Sequence, residues 1–374
     1  MFDVIVVGAG PGGAAAAKRC AENGLKTLLL ERRSLPRDKV CSGMVMSNLA
    51  QGLVEREFGP IPDEVLSNPK SLAGLELHVT GVGSTRVEHR IPISWRRDLD
   101  YWMDLKAQGA GAEIRDLVQV RGVKEAGEGY IVTVKAKGKL QEISSRFVIG
   151  ADGAVSAVRK ALFPGLDVKY VQVLQECFEG NLDLETDYYH FFYYPEIAIS
   201  PSFEAHHKQG RFIIDTMALI GDMKRSNSIQ RAKKYLAEEH GFDLESRALW
   251  TAGCLMPVMY RGLESGSFRP CKGNALLVGE AAQLMPVMAG DGIREAIWSG
   301  LLAASAVISA SETGDRAELG YMDEMVRLMK MRNSLYPWAG KIRKEAERGG
   351  QYLLNALGEL WRESMDMGLE YLTL

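Results

Sequence analysis

A mixed α/β chain that opens on a dinucleotide-binding unit is predicted by three features of this sequence. The β-branched run Phe2 to Val7 leads directly into the glycine turn Gly8-Ala9-Gly10-Pro11-Gly12-Gly13, after which Ala14 to Cys20 has helix-forming composition. A second apolar run, Leu25 to Leu30, ends on the carboxylate Glu31. Further along, short strand-like runs separated by glycine-bearing turns recur through much of 75–220, the pattern of an antiparallel sheet rather than of repeated βα units.

Within the first unit, Gly8 allows the tight turn and Gly10 leaves no side chain between backbone and a pyrophosphate. Gly13 lets the helix approach the strand, so phosphate oxygens can reach the helix's unpaired N–H groups. Glu31 stands where such folds hydrogen-bond the adenosine ribose hydroxyls, and an acid there disfavours a 2′-phosphate. A glycine-rich turn alone also arises for purely structural reasons. Strand before, helix after and acid at the close make the difference, although nicotinamide and flavin enzymes both begin this way.

At 374 residues the chain exceeds a single core, so two lobes and a C-terminal extension are expected. A hydrophobic fraction of 46% and a formal net charge of −3 describe an ordinary globular protein with no general attraction to nucleic acid or to an anionic membrane. The five cysteines, Cys20, Cys41, Cys177, Cys254 and Cys271, lack CxxC spacing, which argues against a zinc site or a disulfide framework and for a reducing, cytoplasmic setting. The N-terminus reads as a strand at once, without a secretory signal, and no uncharged apolar run approaches membrane-spanning length; peripheral membrane contact stays open.

In chain order, residues 32–43 form a basic, proline-interrupted loop whose Arg32, Arg33, Arg37 and Lys39 support a nearby phosphate or simply face solvent. Residues 44–70 are mixed, with Pro60, Pro62 and Pro69 as breakers, and Leu75 to Val79 with Val87 to Ile93 read as a hairpin. Ser94 to Met103 opens a helix with Asp98 and Asp100 in its first turn. Val118 to Val123, Tyr130 to Val134 and Ile143 to Ile149 read as a meander that runs into Gly150-Ala151-Asp152-Gly153, followed by Ser156 and Arg159. The densest aromatic cluster is Tyr188 to Pro195, and Ser226 to His240 reads as an amphipathic helix covering a sheet. Ala275 to Ala282 reads as a strand ending in Gly279 and Glu280; after Pro286 come Gly290-Asp291-Gly292-Ile293 and a helix from Arg294 to Ser309. The tail, 315–374, reads as a helical cover.

Three of these signatures stand together: the glycine turn with Glu31; Val148-Ile149-Gly150-Ala151-Asp152-Gly153 with Ser156 and Arg159; and Leu277-Val278-Gly279-Glu280-Ala281-Ala282 with Gly290-Asp291-Gly292-Ile293. In combination they resemble the flavoprotein family that includes para-hydroxybenzoate hydroxylase, and within it the geranylgeranyl reductase branch. The resemblance implies a Rossmann-like FAD-binding domain of the glutathione reductase/para-hydroxybenzoate hydroxylase type, an antiparallel-sheet substrate domain and a C-terminal helical segment. Residues 1–74, 94–165 and 266–310 would form the discontinuous FAD domain, 75–93 and 166–265 the substrate sheet, and 311–374 the helical segment. Arg96 resembles the family's arginine beside the FAD, Pro36-Arg37-x-Lys39-x-Cys41-x-Gly43 the reductases' stretch alongside the flavin, and Gly253-Cys254-Leu255-Met256-Pro257 the strand returning to the isoalloxazine.

The resemblance assigns cofactor contact to Gly8, Gly10, Pro11, Gly12, Gly13, Glu31, Arg32, Arg37, Cys41, Arg96, Asp152, Gly153, Gly279, Glu280, Gly290, Gly292 and Ile293, and a substrate wall to His190, Phe192, Tyr194, Met256 and Pro257. Glu280 would accept from ribityl hydroxyls, and the helix N-terminus at Gly292 would face the flavin edge where negative charge collects on reduction, a dipole contribution of roughly 0.3–2 kcal/mol. The sequence departs from the family in three places. Glu280 replaces the usual aspartate, the reductases' Tyr-x-Trp-x-Phe-Pro stands here as His190-x-Phe192-x-Tyr194-Pro195, and the aromatic hydroxylases' Gly-Gln-Gly-x-Asn is Gly290-Asp291-Gly292-Ile293. The last change favours the reductases, and the halogenase tryptophan motif is absent.

The resulting expectation is a non-covalent FAD enzyme that reduces carbon–carbon double bonds in an apolar, isoprenoid- or lipid-like substrate. Alternatives are a flavin monooxygenase and a non-catalytic FAD-binding protein. With no second GxGxxG, electrons are expected from transiently bound NAD(P)H or from a ferredoxin-like protein. Cys41 is the candidate proton donor or redox partner, its alternative being an inert buried thiol.

Overall fold

The computed structural model describes residues 1–194, 202–219, 228–257, 261–264, 266, 268–284 and 291–368. The chain opens with β1 (Phe2–Val7), α1 (Pro11–Glu22), β2 (Thr27–Leu30) and α2 (Asn48–Phe58), the last fitted between the loop and Pro60. β3 (Leu66–Val79) and β4 (Gly83–Ser94) form a long hairpin, followed by α3 (Arg96–Gly109), β5 (Glu113–Arg115), β6 (Val118–Ala126), β7 (Gly129–Ala136), β8 (Lys139–Gly150) and the short α4 (Ala157–Leu162). Next come β9 (Tyr170–Glu179), β10 (Tyr188–Tyr193), β11 (Phe203–Lys208), β12 (Arg211–Leu219), α5 (Ser228–Glu239), β13 (Trp250–Pro257) and α6 (Arg261–Glu264). β14 (Cys271–Lys272), β15 (Ala275–Leu277), α7 (Gly292–Thr313), α8 (Ala317–Ser334), α9 (Tyr336–Arg348) and α10 (Gly350–Asp366) complete it.

Two sheets organise these elements. In the first, β15, β8, β1, β2 and β5 run parallel in that order, with β14 antiparallel at one edge and β6–β7 continuing from the first half of β8 as an antiparallel ribbon. α1 packs on β1 and β2, α3 on β5 and α8 on β15, and every residue of Thr27–Leu30 is buried. The second sheet has the order β13-β9-β12-β11-β10-β3-β4, antiparallel except where β10 lies parallel to β3. Because β3 starts at Leu66, residues 66–74 belong to this second sheet and not to the nucleotide unit, a correction forced by their pairing with β4.

The strand expected over 275–282 is only three residues long. Gly279–Ala282 turns into a 3₁₀ helix instead, with Gly279 at φ +55, a left-handed conformation that glycine adopts freely. One described helix, Gly292–Thr313, is long and apolar enough by composition to cross a membrane, where the sequence suggested no such run. Most of it is buried, packed against α1 and α8. The C-terminal helices are tied in by specific bonds: the Tyr321 hydroxyl donates to the Leu277 carbonyl (2.7 Å), and the Trp361 indole donates to the Tyr193 hydroxyl (3.1 Å).

At the centre of the second sheet every residue of β10 is buried, and strand alternation divides the aromatics there. Phe192, Phe203, Phe212 and Phe178 pack with Ile229 and Leu236 of α5 on one face. Tyr189, Phe191 and Tyr193 point to the other, where the Phe191 ring packs at a tilt against Trp361, 4.7 Å between centres.

Candidate active site

A cavity of about 890 Å³ runs from the glycine turn, between the two sheets, to the far wall formed by β9, β11, β12 and β13. It is of the size that small-molecule and cofactor sites occupy. Gly8, Gly10, Pro11, Gly12, Glu31, Arg32, Arg37, Cys41, Arg96, Asp152, Gly153, Gly279, Glu280, Gly292 and Ile293 all line it. Gly13 does not: it packs behind the turn against the Gly8 carbonyl. Gly290, Pro286 and Pro195 lie outside the described residues, as does the end of the 255–259 stretch.

At the phosphate end, α1 begins at Pro11 with extended Gly10 as its N-cap, and no side chain caps it. Its first N–H groups are therefore directed at whatever fills the cavity. Glu31 braces this turn, its carboxylate accepting from the Ala9 N–H (3.1 Å), the Arg33 N–H (2.9 Å) and Arg37 Nε (3.2 Å). Arg37 also donates to the Ala9 carbonyl (2.6 Å) and lies 3.2 Å from Asp100, which binds Arg96 bidentately at 2.7 and 2.9 Å. The basic loop is thus less free than its composition suggests: Arg37 is held by two acids, and Lys39 is 3.4 Å from Glu280. One turn beyond Asp100, Asp104 is buried with both oxygens unpartnered, and burial reinforced by the Asp100 charge pushes its carboxyl well above the usual range.

At the middle of the cavity, Asp152 has been turned to structural use. Its carboxylate accepts from Ser156 Oγ and from the Ala157 (2.6 Å) and Val158 (3.2 Å) N–H groups, fixing the first turn of α4. Buried Arg159 then clasps the two signature turns together, donating to the Ala154, Glu280 (3.2 Å) and Ala281 (2.9 Å) carbonyls. Asp291 likewise faces inward: it caps its own helix α7 and accepts from Ser47 Oγ at 2.7 Å, joining the starts of α2 and α7. The Gly292 and Ile293 backbone is left facing the cavity.

Cys41 lies on the cavity between the two sheets, its sulfur accepting from the Gly43 N–H (3.5 Å) and in hydrogen-bonding reach of Arg96. Buried Lys208 holds this loop, donating to the Ser42 and Ser94 carbonyls (3.1 Å to the latter) with its ammonium 4.4 Å from the Trp95 ring centre. Burial lowers the lysine to about 8. Gly43 is required beside it, since it sits at φ +78 and an added Cβ would overlap the Ser94 carbonyl oxygen.

The residues expected to form a substrate wall are divided by the structure. Met256 lines the cavity, but His190, Phe192 and Tyr194 do not, and Pro257 falls just beyond the lining stretch 252–256. His190 and Phe192 point to the far face, His190 paired with His78 (3.0 Å) and Phe192 stacked on Phe203 (4.4 Å). Tyr194 packs toward Phe203 and Tyr235 on that same side. At that end the cavity is lined by Tyr189, Glu204, Asp215, Gln175, Met217 and the 252–256 stretch. Three of these polar residues were invisible in sequence as a group.

Residues 1–319 match the model of the FAD binding domain family. The chain belongs to that family. It therefore binds FAD, and the uncapped α1 start, the side-chain-free Gly10 facing the Arg37 guanidinium and the Glu31 brace fit the diphosphate and adenosine end of that cofactor. Digeranylgeranylglycerophospholipid reductase 2 of Methanopyrus kandleri is 28% identical over 96% of this chain and 90% of its own length. The chloroplastic geranylgeranyl diphosphate reductase of Oryza sativa subsp. japonica is 25% identical over 84% of this chain and 68% of its own. A geranylgeranyl bacteriochlorophyll reductase-like protein from Thermoplasma acidophilum shares the fold with a TM-score of 0.77 at 20% identity, covering 100% of this chain and 94% of that one.

Proposed function

We propose that this family member is a reductase of carbon–carbon double bonds in an isoprenoid- or lipid-like substrate, using non-covalently bound FAD. The observation that carries the reading is the continuity of one cavity from the diphosphate turn to a compartment where Met44, Met46, Val173, Met217, Leu255 and Met256 surround the polar group of Tyr189, Glu204 and Asp215. Near-full-length similarity to reductases named for geranylgeranyl substrates supports it. Reduced flavin supplies a hydride, and the protein's part is to hold the alkene against it, exclude water and provide a proton. Electrons reach the flavin from transiently bound NAD(P)H or from a ferredoxin-like protein. The test is anaerobic photoreduction of the flavoprotein followed by addition of unsaturated isoprenoid lipids, aromatic acids with oxygen, or neither. Fastest reoxidation by the lipids is expected; substrate-accelerated oxygen consumption instead would make the protein a monooxygenase.

In this reading Cys41 lines the reacting end of the cavity. Cys41→Ser should retain the yellow cofactor and slow substrate-driven reoxidation roughly tenfold, about 1.4 kcal/mol of barrier, while leaving the shape of its pH profile unchanged. An unaltered rate would remove this thiol from the site.

A further inference from the structure

Outside the cofactor turn, the cavity wall carries an arrangement that ordinary packing does not require. Glu204 on β11 and Asp215 on β12 are direct cross-strand partners on the face that looks into the cavity. Two carboxylates facing each other destabilise a sheet unless one is neutral. The Tyr189 hydroxyl lies between them, 2.7 Å from Glu204 Oε2 and 3.4 Å from Asp215 Oδ2. A phenol has one hydrogen to give. If Tyr189 donates to Glu204, its contact with Asp215 is a hydrogen bond only when the aspartate carries a proton and donates back. The same holds with the two acids exchanged.

The surroundings supply no full counter-charge. His206 stacks on Tyr189 at 4.7 Å and its Nδ1 is 3.7 Å from Asp215, yet neither ring nitrogen has a hydrogen-bond partner, and burial keeps the ring neutral. Lys208, beyond His206 on that face of β11, donates to two backbone carbonyls, and its charge offsets the burial of Asp215 only in part. From β9, Gln175 hydrogen-bonds Asp215, and the thiols of Cys177, Cys41 and Cys254 are the other titratable groups near Lys208 and Asp215. Desolvation lifts both acids above the ordinary carboxylate range, and for Asp215 the Glu204 charge adds to it.

We propose that Glu204 and Asp215 hold one proton between them through Tyr189, and that this pair is the acid that protonates the substrate. The assignment rests on the reductase reading above. Two electrons and a hydrogen arrive at one alkene carbon as the hydride that reduced flavin supplies. The other carbon takes the proton from the carboxyl pair. The π bond is lost, two C–H bonds form, the cofactor ends oxidised by two electrons, and the pair, left doubly anionic, regains its proton from water.

Infrared difference spectra of the oxidised flavoprotein, recorded from about pH 6 to about pH 9, test the shared proton because a neutral carboxyl has its own carbonyl band. That band should be present at the low end, fade as pH rises, and fade at lower pH in Asp215→Asn, where buried Glu204 no longer shares its proton with a second carboxylate. If Asp215→Asn does not fold, Tyr189→Phe, which only removes the bridge, should shift the same band. No such band in the wild-type protein overturns the shared proton.

The acid role is read from the photoreduced protein mixed with an unsaturated isoprenoid lipid. Glu204→Gln with Asp215→Asn should slow reoxidation by at least about a hundredfold, the usual worth of a general acid, and abolish its decline at high pH. Flavin content and reoxidation by ferricyanide, which takes electrons without a protonated product, should be unchanged. A slowing of less than about threefold overturns the acid role even where the infrared band is found. If no unsaturated lipid reoxidises the wild-type protein, the reductase reading fails and the acid role with it, while the infrared result still decides the shared proton.

Discussion

Replacing Gly10 with valine is expected to give a folded protein that no longer holds FAD. Gly10 is the N-cap of α1 with φ −103 and ψ 178, a backbone conformation open to any residue. A Cβ built there meets only the Arg37 guanidinium, at 3.4 Å, so it projects into the cavity rather than into the core. The branched side chain would occupy the space in front of the first α1 N–H groups, where a diphosphate gains both hydrogen bonds and the helix dipole. Gly13→Ala is the contrasting variant. Its Cβ would overlap the Gly8 carbonyl oxygen, driving α1 off β1 and costing the fold itself. Flavin absorbance after purification should fall in Gly10→Val below about a tenth of wild type, a loss of more than about 1.4 kcal/mol of binding. Its melting temperature should match that of wild-type protein stripped of flavin. Full FAD content in Gly10→Val would place the diphosphate elsewhere.

How much of this site could be read from the chain depended on whether its residues act locally. The glycine turn with Glu31, the Asp152 turn and the Gly292-Ile293 stretch are each short runs of neighbouring residues, so local pattern together with the family resemblance singled them out, and each run lines the cavity. Glu280 was located but not its setting, because a strand ending and a 3₁₀ turn have the same glycine-acid-alanine appearance. Glu204 and Asp215 were missed for a different reason. They are eleven positions apart in sequence and become opposite neighbours only through the β11–β12 register, while Glu204 alone reads as the polar side of an alternating strand. Lys208 was hidden in the same way, its partners Ser42 and Ser94 lying far off in the chain.

The aromatic run over β10 shows a second limit, and it leads to the other large expected effect: Phe192→Ala should destabilise the protein by about 3–5 kcal/mol, as large-to-small changes of a fully buried phenylalanine do. Alternation separates Tyr189 from His190 and Phe192, but both faces of the strand are buried, so pattern alone cannot tell which faces a ligand. The structure assigns Phe192 to the packed face. It has 0% exposure, lies between the His78 and Phe203 rings at 4.4 Å from each, and approaches Tyr235 of α5 edge-on at 5.6 Å. Alanine would leave a void between the sheet and α5 with little freedom to collapse, since the strand is paired on both sides by β3 and β11. Denaturant unfolding should therefore show the lost stability. Reoxidation of the photoreduced flavin per folded molecule should change less than about threefold, because the removed ring never reached the cavity. A normal unfolding midpoint with impaired substrate turnover would return Phe192 to the substrate wall and reverse the assignment of the two sheet faces.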